Sequence, residues 1–138
     1  MATPYEKVYN RFLNSITDFN LVELDDHTLN EMLKDWLNQS IVRVRISSDL
    51  SRDDESEVFS SDLNDLDIEL LALGMKLAWV DQTLSSTELT LQFIGGKEEK
   101  VFSQAAHISE LRGLREDVKL EMQKLHSYNT YTNNSYFD

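Results

Sequence analysis

A chain of 138 residues, 41% hydrophobic and 28% charged, is long enough for one domain that buries about two thirds of its unfolded surface. It has no cysteine, which excludes disulfides and thiolate metal centres. Its formal net charge of −12 argues against nucleic-acid binding, because phosphates need a basic footprint. No apolar run approaches the roughly 18 residues of a membrane span, and the N-terminus lacks the basic and apolar regions of a signal peptide.

Thr3, Pro4 and Glu6 fit a capping box, with Thr3 as N-cap and Pro4 at the first helical position. Tyr5, Val8, Tyr9, Phe12, Leu13 and Ile16 then recur at helical spacing, which predicts a helix over about 4–17. A second helix opens at Asp25 or Asp26, where carboxylates meet the positive end of the dipole. Leu29, Met32, Leu33, Trp36 and Leu37 line one face of it, and it is expected to end near Gln39. Over 41–46 the period changes: Val42, Val44 and Ile46 alternate with Arg43 and Arg45, as in a half-buried strand. Such a strand needs a partner, either a short hairpin-like pairing or an edge completed by a neighbouring subunit.

Residues 47–61 are serine-rich, acidic and without period, and they read as a loop. From 49 to 69 the chain carries Asp49, Asp53, Asp54, Glu55, Glu57, Asp62, Asp65, Asp67 and Glu69 against Arg52 alone. This reads either as a solvated loop entering the acidic first turn of a helix or as a deliberately anionic surface.

The third helix is predicted from about Asn64 to Thr83. Leu70, Leu71, Leu73, Met75, Leu77, Ala78, Trp79 and Val80 make it apolar nearly all round, so it should be the central helix. Gly74 costs about 1 kcal/mol relative to alanine in mid-helix unless it permits a close crossing, which is the role expected of it. A short helix over about 86–93, capped by Ser85 or Ser86, follows. Gly95 and Gly96 then break the chain, and 97–100 form a polar loop. Ser103 is expected to cap the last helix. Its stripe of Ala105, Ile108, Leu111, Leu114, Val118, Met122 and Leu125 runs to about His126 and predicts a rod of roughly 36 Å. Glu110, Arg112, Glu116, Lys119 and Lys124 can pair along its outer face.

The last eleven residues hold Tyr128, Tyr131, Tyr136 and Phe137, with almost no charge and no apolar period. Aromatic area must be hidden somewhere, so the segment reads as an extended arm ordered against another protein, or as a tail folded back on its own domain. The elements together predict a mainly α fold: a single-domain helical bundle of about five helices with a long C-terminal helix, one short β element and an extended C-terminal arm. Residues 1–127 make the helical domain, with its acidic loop at 47–63, and 128–138 make the arm.

No catalytic constellation emerges, and the chain is read as a non-enzyme without cofactor or metal. His27, His107 and His126 are far apart in sequence and form no helical i,i+4 metal pair. Position 91 is leucine where a phosphate loop ending at Lys97 would need glycine. The acidic run lacks the glycine hinge and terminal glutamate spacing of a calcium loop. Trp36 and Trp79 lie on apolar faces, where core packing is the expected role.

The C-terminal half resembles the head–tail connector adaptors, or neck proteins, of long-tailed bacteriophages. The resemblance rests on Leu71, Ala72, Leu73, Gly74 and Met75 leading to Trp79; on Gln92, Phe93, Ile94, Gly95, Gly96 and Lys97; on Phe102, Ser103, Gln104 and Ala105; on Glu110, Leu111 and Arg112; and on the terminal helix with its aromatic arm. It covers roughly 64–138, and residues 1–63 carry no match. It implies a helical structural subunit, made in the bacterial host cytoplasm and assembled in the virion neck as a ring, commonly of twelve identical copies. Such a ring docks on the portal protein, hands on to a downstream neck, stopper or tail protein, and lets DNA pass without specific binding. The implied portal-binding residues are Tyr128, Tyr131, Asn133, Asn134, Tyr136 and Phe137. Asp49, Asp53, Asp54, Glu55 and Glu57 are then candidates to face the lumen or a neighbour, where carboxylates repel the DNA backbone. The alternative of another class is an acidic inhibitor or DNA mimic that binds a basic host factor. It would need carboxylates spread over one face rather than gathered in one loop.

Overall fold

The computed structural model describes residues 2–16, 24–44, 46, 49–94 and 98–133, with the backbone alone at 90–94, 98–104 and 128–133. Among them are four helices: α1 (Tyr5–Asn14), α2 (Asp26–Arg43), α3 (Asp65–Ile94) and α4 (Glu98–Asn133). Three two-residue strands, β1 (Thr3–Pro4), β2 (Arg52–Asp53) and β3 (Val58–Phe59), form an antiparallel sheet in the order β1-β3-β2. The chain is mainly helical, as the sequence predicts, but with four helices described rather than five.

α3 is the central element, and α1, α2 and α4 all pack on it. Leu70, Leu71, Ala72, Leu73, Met75, Leu77, Ala78, Trp79 and Val80 are all buried, so the nearly all-round apolar surface is used on every side. Asn64 caps its start, the carboxamide oxygen accepting from the Asp67 N–H at 2.8 Å. Asp25 does the same for α2, accepting from the Thr28 N–H at 2.7 Å.

The crossing of α2 on α3 is made at Gly74, as expected. A Cβ built there would lie 2.0 Å from Ser40 Oγ and 2.8 Å from Ser40 Cβ, so no other residue allows this approach. Ser40, itself fully buried, donates its hydroxyl to the Leu71 carbonyl at 2.7 Å. From the same stripe of α2, Trp36 donates to Gln82 Oε1 at 2.8 Å and Arg43 reaches Asp81 at 3.2 Å. Phe12 of α1 meets the Trp36 ring edge-on at 5.5 Å, closing the core between the three helices.

Four sequence expectations are corrected. Among the described residues of 41–46 there is no strand: α2 continues to Arg43, well beyond Gln39, and Val44 is its C-cap, its N–H donating to the Ser40 carbonyl at 2.9 Å. Leu33, Trp36, Leu37, Ser40 and Val44 are buried at helical spacing, whereas Val42 is 86% exposed, so the helical period and not the alternation decides burial. Thr3 is not an N-cap either. Pro4 occupies that position with no side-chain cap bond, and the first helical donor, the Tyr5 N–H, is satisfied by the Glu57 carbonyl at 2.9 Å. Thr3 lies in β1, and its hydroxyl donates to the Ser61 carbonyl at 3.0 Å and accepts from the Leu63 N–H at 2.9 Å.

The short helix expected over 86–93 is the end of α3, which runs unbroken past Ser85 and Ser86. There Thr87 bonds back within the helix, donating to the Thr83 carbonyl at 2.8 Å. Finally, α4 begins at Glu98, so the polar loop is shorter than predicted and Ser103 is inside the helix rather than at its cap. It also continues about two turns beyond His126, so that histidine is not in the last turn, and the rod is roughly 54 Å long. Gly95, Gly96 and Lys97 lie outside the described residues.

α3 and α4 are antiparallel: Arg115 of α4 pairs with Asp81 of α3 at 2.6 Å, and the earlier Arg112 pairs with the later Glu88 at 3.0 Å. Asp81 thus holds an arginine from α2 and another from α4, tying three helices at one carboxylate. Ile108, Leu111, Val118 and Met122 on the predicted stripe are buried, with Leu114 and Leu125 partly so, while Ala105 is exposed.

Candidate interaction surfaces

The acidic segment read as a loop is a small hairpin, β2–turn–β3, clamped on the N-terminus of α1. Phe59 of β3 is fully buried and packs on the Tyr5 ring at 5.0 Å. The Tyr5 hydroxyl donates to Asp54 at 2.7 Å. Burial first, and then this bond and charge, push the Tyr5 phenol well above its ordinary range. Glu57 closes the turn with φ 56°, in the left-handed region that non-glycine residues seldom adopt. Its side chain accepts from Asn30 at 2.9 Å and pairs with Lys34 of α2 at 3.4 Å, which holds the turn in that conformation.

These contacts sort the five acidic candidates. Asp49 accepts from the Ser51 hydroxyl at 2.8 Å and N–H at 3.0 Å, and these bonds lower its pKa. Asp53 is likewise lowered, chiefly by the Glu55 N–H at 2.9 Å and then by the Ser56 hydroxyl. Asp54 and Glu57 are tied to Tyr5 and to α2 as described. Asp49, Asp53, Asp54 and Glu55 are exposed, and only the Glu55 carboxylate makes no contact among the described residues. Four of the five acids therefore shape the hairpin, and one is spare at its tip.

Beside the hairpin, Tyr9 carries a buried hydroxyl with no hydrogen-bond partner among the described residues. Burial is the largest cause holding its phenol well above the usual range, followed by the charge of Glu57.

Of the arm candidates, Tyr128, Tyr131 and Asn133 are on the helical backbone of α4, so the arm does not leave the helix at residue 128. Their side chains, and Asn134, Tyr136 and Phe137 altogether, lie outside the described residues.

One feature has no counterpart in the sequence expectations. A groove of about 370 Å³ lies between α1 and the start of α3, lined by Lys7, Asn10, Arg11, Asn14, Asp65 and Ile68. The four α1 residues recur at three and four, the outer stripe of an amphipathic helix whose inner stripe is Tyr5, Val8, Tyr9 and Phe12. That spacing was available in the sequence, but a polar stripe alone does not mark a groove. Arg11 pairs with Glu69 of α3 at 2.9 Å.

No group of three or more His, Asp or Glu side chains among the described residues is placed to hold a metal ion. Nor is any described helix long and apolar enough to cross a membrane. Comparison with known protein families, with curated proteins and with solved structures finds no match.

Proposed function

We propose that this chain is a head–tail connector adaptor: a structural virion protein that forms a ring in the phage neck, docks on the portal through its C-terminal segment and joins head to tail. DNA passes through the lumen without specific binding, and a downstream neck or tail protein docks on the far side. The observation that carries this reading is the length of α4. It has 36 residues against 30 in α3, and the two are antiparallel. α4 is therefore six residues longer than its antiparallel partner, about 9 Å of helix. Tyr128 and Tyr131 lie in its last two turns, C-terminal to Leu125, the last α4 side chain packed against the core among the described residues.

Together with Tyr136 and Phe137, which follow in the sequence, these aromatics supply apolar area for a groove on another protein. Each buried aromatic contributes on the order of 2 kcal/mol before the cost of ordering the segment. Repetition around a ring turns individually weak contacts into a durable clamp through effective concentration. The acidic hairpins then face the lumen or the next subunit.

The test mixes purified portal particles with the full chain or with the chain truncated after Ser127, and images the products. The truncation keeps Ile108, Leu111, Val118 and Met122, so the bundle retains its α4 packing. Rings on the portal are expected with the full chain and not with the truncated one. Undiminished docking without the terminal segment refutes the assignment.

A further inference from the structure

The groove and the hairpin tip carry opposite unmatched charges. Among the described cations, Arg11 pairs with Glu69, Lys34 with Glu57, Arg43 and Arg115 with Asp81, Arg112 with Glu88 and Lys119 with Glu116. Arg52 and Lys76 bond to carbonyls. Lys7 in the groove and Lys124 on α4 are exposed and pair with nothing in their own chain among the described residues; of these two, Lys7 is the one that lines a groove. The one acid lining the groove, Asp65, is in the first turn of α3, where the helix dipole offsets about half a charge. Asn10 and Asn14 add carboxamide donors beside Lys7.

Geometry prevents the two surfaces of one chain from meeting. At 3.6 residues per turn, Lys7 and Asn14 lie about 180–200° around α1 from Tyr5, whose hydroxyl and N–H hold the hairpin. The helix therefore stands between its own hairpin and its own groove. Only a second molecule can bring a hairpin tip to the groove.

We infer that the hairpin tip of one copy, through Glu55 and its neighbour Asp53, docks in the Lys7–Asn10–Arg11–Asn14 groove of a second copy of this chain. Donor and acceptor surfaces differ, so the contact is head-to-tail and repeats. Such contacts close into a ring or extend as a filament according to the rotation between copies. This identifies the subunit–subunit contact of the ring proposed above and rests on that reading.

Two charge reversals test it. Both residues are exposed, and neither side chain makes a contact among the described residues, so Lys7→Glu and Glu55→Lys leave the fold intact. That is checked by circular dichroism and thermal melting. Sedimentation velocity of the full chain at low salt is expected to show concentration-dependent self-association that fades at high salt. Each single variant should weaken it about tenfold or more, because like charges then face each other. An equimolar mixture of the two variants should restore assembly, since every contact again pairs opposite charges, in alternating order. A wild-type chain monomeric at every concentration, single variants that associate like wild type, or a mixture that stays dissociated would each overturn the inference. Portal docking of the full chain is scored in parallel. Docking without the charge-dependent assembly refutes this contact alone, and assembly without docking refutes the connector reading alone.

Discussion

Two glycines sit inside long helices of this protein, and the structure assigns them opposite responses to the same substitution. Replacing a mid-helix glycine by alanine contributes about 1 kcal/mol of stability through backbone entropy when nothing opposes it. Around Gly113, on the outer side of α4, an added Cβ meets nothing within 4 Å. Gly113→Ala should therefore stabilise by about 1 kcal/mol and raise the melting temperature by about 4 °C. At Gly74 the same Cβ would stand 2.0 Å from Ser40 Oγ and 2.8 Å from Ser40 Cβ, with Ser40 Cα only 3.1 Å away. Turning the hydroxyl aside cannot relieve a clash that includes Cβ and the backbone, so α2 must move off α3. That move strains the core by about 1–3 kcal/mol. It also endangers the buried Ser40 bond to the Leu71 carbonyl, at about 1–3 kcal/mol if lost. Even after the helix-propensity gain, Gly74→Ala should destabilise by about 1–4 kcal/mol. Urea unfolding of both variants, with slopes compared to detect changes in the unfolded state, reads the two signs directly. A Ser40→Gly background, which removes the obstructing side chain, should reduce the penalty of Gly74→Ala and reveal coupling between the sites. Equal stabilisation by the two alanines would refute the close crossing.

Three further outcomes are expected. Thr3→Val keeps the shape of a fully buried side chain but strands the Leu63 N–H and the Ser61 carbonyl, so urea titration should show a loss of about 1–3 kcal/mol. Asp81→Asn removes the shared partner of Arg43 and Arg115; because all three side chains are about one third exposed, the loss should be near 1 kcal/mol at low ionic strength and should shrink in 1 M salt. The two raised phenols make the fold sensitive to alkali. A folded pKa above the unfolded value of about 10 means that their stabilising effect is complete below pH 10. It is lost above that, at about 1.4 kcal/mol per pH unit for each tyrosine, as the pH rises toward the folded pKa. Tyr9→Phe removes a buried hydroxyl that has no partner among the described residues. In alkaline denaturation monitored by circular dichroism it should match or exceed wild-type stability at pH 7 and show a shallower decline above pH 10.

The helical class, the central place of α3, the starts of α2 near Asp25 and of α3 near Asn64, and the tight crossing at Gly74 were all determined by the sequence alone. Each depends on local spacing or on a residue whose cost only one arrangement offsets. Tertiary structure decided the rest. Over 41–46 the alternating and helical periods coincide for too few residues to be told apart, and the continuation of the Leu33–Trp36–Ser40 stripe to Val44 resolves them through packing on α3. Thr3 has the chemistry of a cap, but a distant carbonyl and N–H, at Ser61 and Leu63, take its hydroxyl while Glu57 supplies the helix donor's partner. Ser85 and Ser86 look like a helix start and are carried inside α3, because α4 runs antiparallel beside it. The same holds for the candidate surfaces. The acidic residues and the polar stripe of α1 are visible as composition and period, but which carboxylates are spent on turns, and which charges remain unmatched on opposite sides of one helix, follows only from three-dimensional contacts. Local periodicity encodes what each segment buries, whereas the partners of its polar groups come from segments tens of residues away.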